Sequence, residues 1–208
     1  MRSAARRLSV VVIACLVTAI PAEVGAGGFE IVPIVGYTTG GKFEDATTGT
    51  QLDVKSNANY GLILDINETH DSQVEFFYSR QSTQLRNSGG AFVGDPLFDL
   101  DIHYLHIGGT YTEASGKVKP YVVGGVGATL MDPKGEDLHS ETKLSLNLGG
   151  GVKIPLTDRL GLRLEGRWFG TFFGSSGAAF CVNGACAVAI QGSLLMQLAA
   201  NIGLMIAF

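Results

Sequence analysis

The chain has 208 residues, of which 29 are glycine and only 16% are charged, with a formal net charge of −4 at pH 7. This length fits a single domain, and low charge with positive mean hydropathy points toward a membrane. The acidic balance and the lack of a basic patch exclude a nucleic-acid surface, and no apolar run reaches the ~18–20 residues a spanning helix needs.

Taken in chain order, "MRSAARRLSVVVIACLVTAIPAEVGAGGFE" opens on arginines, continues through an apolar core and reaches small residues. This is the layout of a secretory signal peptide. Val24-Gly25-Ala26 fits the cleavage pattern, so residues 1–26 are predicted to be removed and 27–208 to form the mature domain. Cys15 offers a rival, lipoprotein-like site, which would leave an apolar tether on the mature protein. Cleavage near Ala26 removes Arg2, Arg6, Arg7 and Glu23, leaving 12 basic and 18 acidic residues, a net charge of −6.

From residue 29 the hydropathy has period two, and no helical period competes with it. Strands are predicted at 29–37, 58–66, 73–81, 101–111, 119–130, 143–155, 160–172 and 189–207. The connections alternate between long and short, at roughly 20, 6, 19, 7, 12, 4 and 16 residues. In an up-and-down meander this places every long loop at one end and every short turn at the other, the shape of an outer-membrane barrel. The predicted fold is therefore all-β, an eight-stranded antiparallel up-and-down transmembrane β-barrel.

Two strands display the faces most clearly. In "KLSLNLGGGVKIPL", Leu144, Leu146, Leu148, Val152, Ile154 and Leu156 share one side, and Lys143, Ser145, Asn147 and Lys153 the other. In "RLGLRLEGRWFGTFF", Leu160, Leu162, Leu164, Trp168 and Phe172 oppose Arg163, Glu165 and Arg167. Keeping both leucine faces aligned requires a three-residue turn, Thr157-Asp158-Arg159. Two aromatic girdles are expected, with Tyr37, Tyr60, Tyr78, Tyr104, Trp168 and Phe172 near the long loops. Phe29, Tyr111, Tyr121 and Phe208 fall near the short turns. Rings prefer a bilayer interface, so the leucines are assigned to lipid and the charges to the lumen.

That assignment makes Asp65, Glu75, Lys143, Lys153, Arg163, Glu165 and Arg167 the candidate lumen network or gate, with Asn147, Gln197 and Asn201 beside them. Eight strands leave an interior just wide enough for side chains to fill. Both signs of charge are present, so a plug of ion pairs is feasible, and a narrow gated pore is the sharper alternative. No catalytic constellation is visible. His139-Ser140-Glu141 is a contiguous loop triplet, while His103 and His106 differ by three and point to opposite faces of a strand. Acidic Asp132, Glu136, Asp137 and Glu141 read as a solvated loop rather than a metal site. No enzymatic activity, metal or cofactor is expected.

In "GSSGAAFCVNGACAVA", Asn183-Gly184 signals a type I′ hairpin that brings Cys181 and Cys186 opposite each other. A disulfide fits that pairing in an oxidising compartment. The hairpin's register is odd where the flanking strands need an even one, which requires a bulge between them. Exposed Phe180 and Val182 at this tip would suit adhesion or capture of a hydrophobic ligand.

Residues "LHIGGTYTEASGKVKPYVVGGVGATLMDP" and "LGGGVKIPLTDRLGLRLEGRWFG" together resemble the small outer-membrane barrels related to OmpA, OmpX and OmpW. Lys119-Pro120-Tyr121 before a glycine-rich strand and the Leu156-Thr157-Asp158 turn carry the likeness most specifically. The resemblance implies a porin-like barrel in the outer membrane of a Gram-negative bacterium, with a structural or surface-interaction role through its long extracellular loops. Its OmpW-type side implies the alternative, a narrow channel for small or hydrophobic solutes. Implied partners are outer-membrane lipid, the outer-membrane assembly machinery, and a host-surface or small hydrophobic ligand. The closing "NIGLMIAF" resembles the C-terminal signal read by that machinery, on Asn201, Gly203, Ile206 and Phe208. No peptidoglycan-binding domain of the OmpA kind is expected.

Overall fold

A computed structural model describes residues 28–44, 51–69, 71–87, 96–113, 116–134, 139–173, 178–182, 185–189 and 194–208. The expected signal peptide, with Cys15, lies outside these residues, as do Asn183, Gly184, Glu136 and Asp137. Every regular element among the described residues is a strand: β1 Phe29–Thr38, β2 Lys42–Glu44, β3 Gln51–Val54, β4 Asn57–Asn67, β5 Ser72–Asn87 and β6 Pro96–Thr112. There follow β7 Lys119–Lys134, β8 Glu141–Pro155, β9 Leu160–Phe172, β10 Ala178–Val182, β11 Ala185–Ala189 and β12 Leu194–Ala207.

Eight of these close a ring in the order β5-β4-β1-β12-β9-β8-β7-β6, with β6 pairing back onto β5. All pairs are antiparallel, and β12 seals the barrel against β1 through Gly36↔Asn201 and Ile34↔Gly203. The strands are staggered. Followed from Thr38 through Ala199, Arg167, Gly149, Val123, Thr110, Gln73 and Asn67, the pairing returns to β1 at Gly28, ten residues below its start. Eight tilted strands of this kind enclose an interior the width of packed side chains.

The turn between β8 and β9 is the one that the leucine faces require. Thr157-Asp158-Arg159 lies inside a pair closed by the Leu156 and Thr157 amides, which donate to the Leu160 carbonyl at 2.8 and 2.9 Å. Leu144, Leu148, Leu164 and Phe172 consequently stand exposed, while Ser145, Asn147, Arg163, Glu165 and Arg167 are buried. Along the outer wall Val35, Leu62, Leu105, Val126, Leu148, Leu164, Leu198 and Ile202 form one exposed apolar belt. In water such a belt would be untenable; against hydrocarbon it is the required surface.

Three expectations need correction. Tyr104 and Tyr121, assigned to the outer girdles, are 2% and 4% exposed and point into the lumen. On β6 and β7 both faces carry apolar residues, so alternation gave no anchor for their orientation. The closing strand starts at Leu194, not 189; residues 185–189 belong to β11 instead. The second and third long connections are also shorter than expected, because β5 continues to Asn87, β6 begins at Pro96 and β7 continues to Lys134. Within the first long connection, between β1 and β4, β2 and β3 add a hairpin onto β5 through Leu52↔Asn87 and Val54↔Leu85. Beyond the apolar belt these strands keep their period in polar residues, which hydropathy does not register.

The hairpin of β10 and β11 pairs Cys181 with Cys186 and Val182 with Ala185, the expected register. Its register differs in parity from that of β9 with β12, and residues 174–177 and 190–193, where the expected bulge would fall, lie outside the described ones. The side chains of Phe180, Val182 and both cysteines lie outside the described ones.

The assignment of faces is directly testable by unfolding in lipid vesicles. Leu148→Arg, at an exposed mid-strand position, is expected to cost about 2–4 kcal/mol, against about 0–1 kcal/mol for Val118→Arg in a short connection. Equal effects at the two positions would mean that Leu148 does not face lipid.

Candidate functional site: the barrel lumen

Because β9 alternates strictly, Arg163, Glu165 and Arg167 project inward as consecutive lumen residues. In the ring, β9 and β5 stand four places apart in either direction, on opposite walls. Glu75 on β5 reaches across this diameter. Its Oε2 accepts from Arg163 Nη2 at 2.6 Å and its Oε1 from Arg167 Nη1 at 2.8 Å. Glu165 binds both arginines from between them, at 2.7 Å to Arg163 Nη2 and 2.8 Å to Arg167 Nε. Arg163 Nη1 also donates to Asp65 at 2.8 Å. Both guanidinium groups are only 1% exposed.

Toward the short-turn end, Lys153 extends the network from β8 to the opposite strand β4. Its Nζ donates to Asp65 at 3.2 Å, to Glu30 at 2.9 Å and to Gln73 at 2.6 Å. Tyr121 Oη donates to Glu165 at 2.8 Å and accepts from Arg163 Nε at 2.8 Å. Arg163 lies over the Tyr121 ring at 4.5 Å, and Arg167 over Phe77 at 4.1 Å. Three cations thus meet four carboxylates, and only Glu30 is appreciably exposed. Removing any one member would strand a buried charge, which is why buried ions occur in such sets.

Above the ions sits an aromatic layer. Tyr104 and Phe169 stack at 4.1 Å with planes 13° apart, and Phe77 and His106 flank Phe169 at 5.6 and 5.7 Å. Gly127 makes space for the His106 ring, since a β-carbon there would collide with it. Tyr104 Oη bonds Gln197, whose Nε2 donates to the Thr39 carbonyl at 2.9 Å. Higher still, Leu85, Leu100, Ile102, Met131 and Leu195 are all buried. From the short-turn end upward the lumen is filled by ions, then rings, then aliphatic side chains.

Of the expected network, Asp65, Glu75, Lys153, Arg163, Glu165 and Arg167 are brought together. Lys143 is not: it faces inward but pairs with Glu141 on its own strand at 3.0 Å, near the long-loop end. Sequence reasoning missed Glu30, Gln73, Tyr104 and Tyr121, together with a contact of His106 Nε2 and Ser145 Oγ at 2.7 Å. Ser145 and His106 come from β8 and β6, separated by β7, so only the tilted closure of the barrel brings them together. Both side chains are buried in the aromatic layer, where no reactant has access. His103 and His106 do face opposite ways, His103 lying outside against Tyr78 Oη at 3.0 Å.

Arg163→Met should therefore destabilise the barrel by about 3–5 kcal/mol in vesicle unfolding, since Asp65, Glu75 and Glu165 each lose a partner. Lys143→Met should stay within about 0.5 kcal/mol. An Arg163→Met barrel as stable as wild type would show that the charges are solvated rather than mutually held.

Comparison with known proteins agrees with this architecture. A comparison with curated protein sequences gives no match. The outer membrane protein OprG of Pseudomonas aeruginosa superposes with a TM-score of 0.62 at 16% identity, covering 88% of this chain and 96% of that one. Neisserial surface protein A superposes at 0.55 and 15% identity, covering 86% and 97%. The outer membrane protein AlkL in DMPC lipid bilayers superposes at 0.55 and 13% identity, covering 91% and 95%. At such identities the likeness is one of fold. The family model described as "Outer membrane protein beta-barrel domain" matches residues 9–175, and the chain belongs to that family of outer-membrane β-barrel proteins.

Proposed function

We propose that this protein is a closed, non-enzymatic outer-membrane barrel that acts as a structural and surface-interaction element through the connections at its long-loop end. One observation carries the reading: Glu75 binds Arg163 and Arg167 across the full width of the lumen. A pore would have to break those pairs and displace the rings and aliphatic side chains stacked above them. The network's carboxylates Asp65, Glu75 and Glu165 are each paired with a cation, which argues against their acting as a general acid or base. Rigid walls with long connections at one end provide a scaffold for contacts with a host surface or a small hydrophobic ligand.

The remaining parts fit export and assembly of such a barrel. Residues 1–26 act as a cleaved signal peptide, and the opposed positions Cys181 and Cys186 form a disulfide after export to an oxidising compartment. Asn201 and Gly203 face inward, whereas Ile202, Leu204 and Phe208 face outward. Phe208 stacks on Phe29 at 4.8 Å, and its amide donates to the Phe29 carbonyl at 3.0 Å. These contacts at the β1–β12 seam support reading Asn201, Gly203, Ile206 and Phe208 as an assembly signal.

Planar-bilayer recording tests the central reading. Wild-type protein is expected to give no discrete conductance steps, and Glu75→Ala/Arg167→Ala, which removes the crossing pair, is expected to give them. Steps in wild type that vanish with Arg163→Ala would establish instead a channel for small or hydrophobic solutes.

A further inference from the structure

The ions of the lumen are sorted by wall. On β1, β4 and β5, Glu30 stands in register opposite Asp65, and Asp65 opposite Glu75. On β7, β8 and β9, Lys119 stands opposite Lys153, and Lys153 opposite Arg163. Lys119 has the inward parity of Tyr121 and Val123 and is half-buried. Each wall thus carries a ladder of like charge across three neighbouring strands. A single strand separates the two ladders on either side of the ring, and each meets a ladder's end with glycine. Gly108 of β6 lies opposite Glu75, and Gly203 of β12 opposite Arg163.

Like charges directly opposite one another weaken an antiparallel pair, so neither sheet favours its own ladder. Within a wall, Glu165 offsets part of the charge by bonding Arg163 and Arg167 on its own strand. With Glu165 counted, the cations Lys119, Lys153, Arg163 and Arg167 leave their wall at +3. Glu30, Asp65 and Glu75 put the facing wall at −3. The pairs that match these charges cross the lumen: Lys153 to Glu30 and Asp65, Arg163 to Asp65 and Glu75, and Arg167 to Glu75. The acidic wall comes from the first strands of the chain and the basic wall from later ones, so no contact local in sequence neutralises the ladders.

We propose that this sorting is a closure device: it makes neutralisation of the ladders conditional on the barrel closing. Contacts distant in sequence reward the chain only after the entropy of bringing the walls together has been spent, so a partly paired open sheet is the natural competitor. Were the signs mixed within a wall, cross-strand pairs would neutralise that open sheet and stabilise it. Sorted signs withhold this stabilisation, and only the closed ring, with β12 on β1 and β6 on β5, brings the complements face to face. Arrangement of sign around the ring, rather than the number of ion pairs, is what acts on closure. The device is independent of whether the lumen conducts and of what the long connections bind.

The test refolds the full chain from urea into phosphatidylcholine vesicles and follows two signals. Fluorescence of Trp168, the chain's one tryptophan, whose ring lies over Gly170, reports transfer of β9 into lipid. The compact band on unheated gels reports closure. In wild type the two are expected to rise together. Asp65→Arg/Arg163→Asp keeps a cross-lumen pair but mixes the signs of both ladders. It is expected to leave the Trp168 phase unchanged and to delay the compact form at least about fivefold. Asp65→Asn/Arg163→Met deletes the same pair without mixing signs and should be delayed less than the exchange. Lys153→Glu, which mixes the basic ladder alone, should also insert and close late, while Lys143→Met, at another level, should match wild type. An exchange variant that closes in step with insertion, or that is delayed no more than the deletion, would overturn the proposal. So would loss of the Trp168 phase in the exchange variant and Lys153→Glu, because insertion would then depend on the ladders as well.

Discussion

Glu75 stands on one wall of the barrel and the arginines it binds stand on the other. Charges removed from water are stable only when each has partners; Glu165 supplies some from the arginines' own strand, and Glu75 and Asp65 supply the rest from across the lumen. The ionic set therefore constrains the barrel as a whole. It fixes which way β9 faces, it requires a stagger that brings β5, β4 and β8 residues to the same level, and it demands small residues where ring or guanidinium groups must lie flat. Gly127 beneath His106 is one such concession.

The same strands meet two solvents in the reverse of the soluble order. Lipid accepts the leucines of β8 and β9, and the lumen accepts the charges, so a single period-two sequence satisfies both. The pattern extends past the bilayer on β5, β6 and β7, where outward positions become Arg80, Asp101 and Lys134. A rigid wall thus projects into the headgroup layer and beyond it, carrying polar chemistry at a defined height. Interior ions that keep the wall rigid also keep that outer surface in place.

Much of this was legible in the sequence because alternation is unambiguous wherever one face is charged. On β9, Arg163, Glu165 and Arg167 between leucines set the orientation, and parity then set the turn at Thr157-Asp158-Arg159. Asp65, Glu75 and Lys153 followed by the same rule. Tyr104 and Tyr121 did not, because β6 and β7 offer apolar or glycine neighbours on both faces, and a tyrosine suits an interface as well as a polar interior. Lys143 has the right parity, but its height beside Glu141 separates it from the ions below, and height depends on stagger. Contacts such as His106 with Ser145 likewise belong to closure, which no local pattern encodes.

The most direct measurement of the central claim is a double-mutant cycle on Glu75→Gln and Arg167→Met, read by reversible unfolding in lipid vesicles. If these residues tie opposite walls together, their coupling should reach about 1.5 kcal/mol or more, within the range of residues in one buried network. Additivity within about 0.5 kcal/mol would contradict the account, since it would mean that the two side chains do not depend on each other across the lumen.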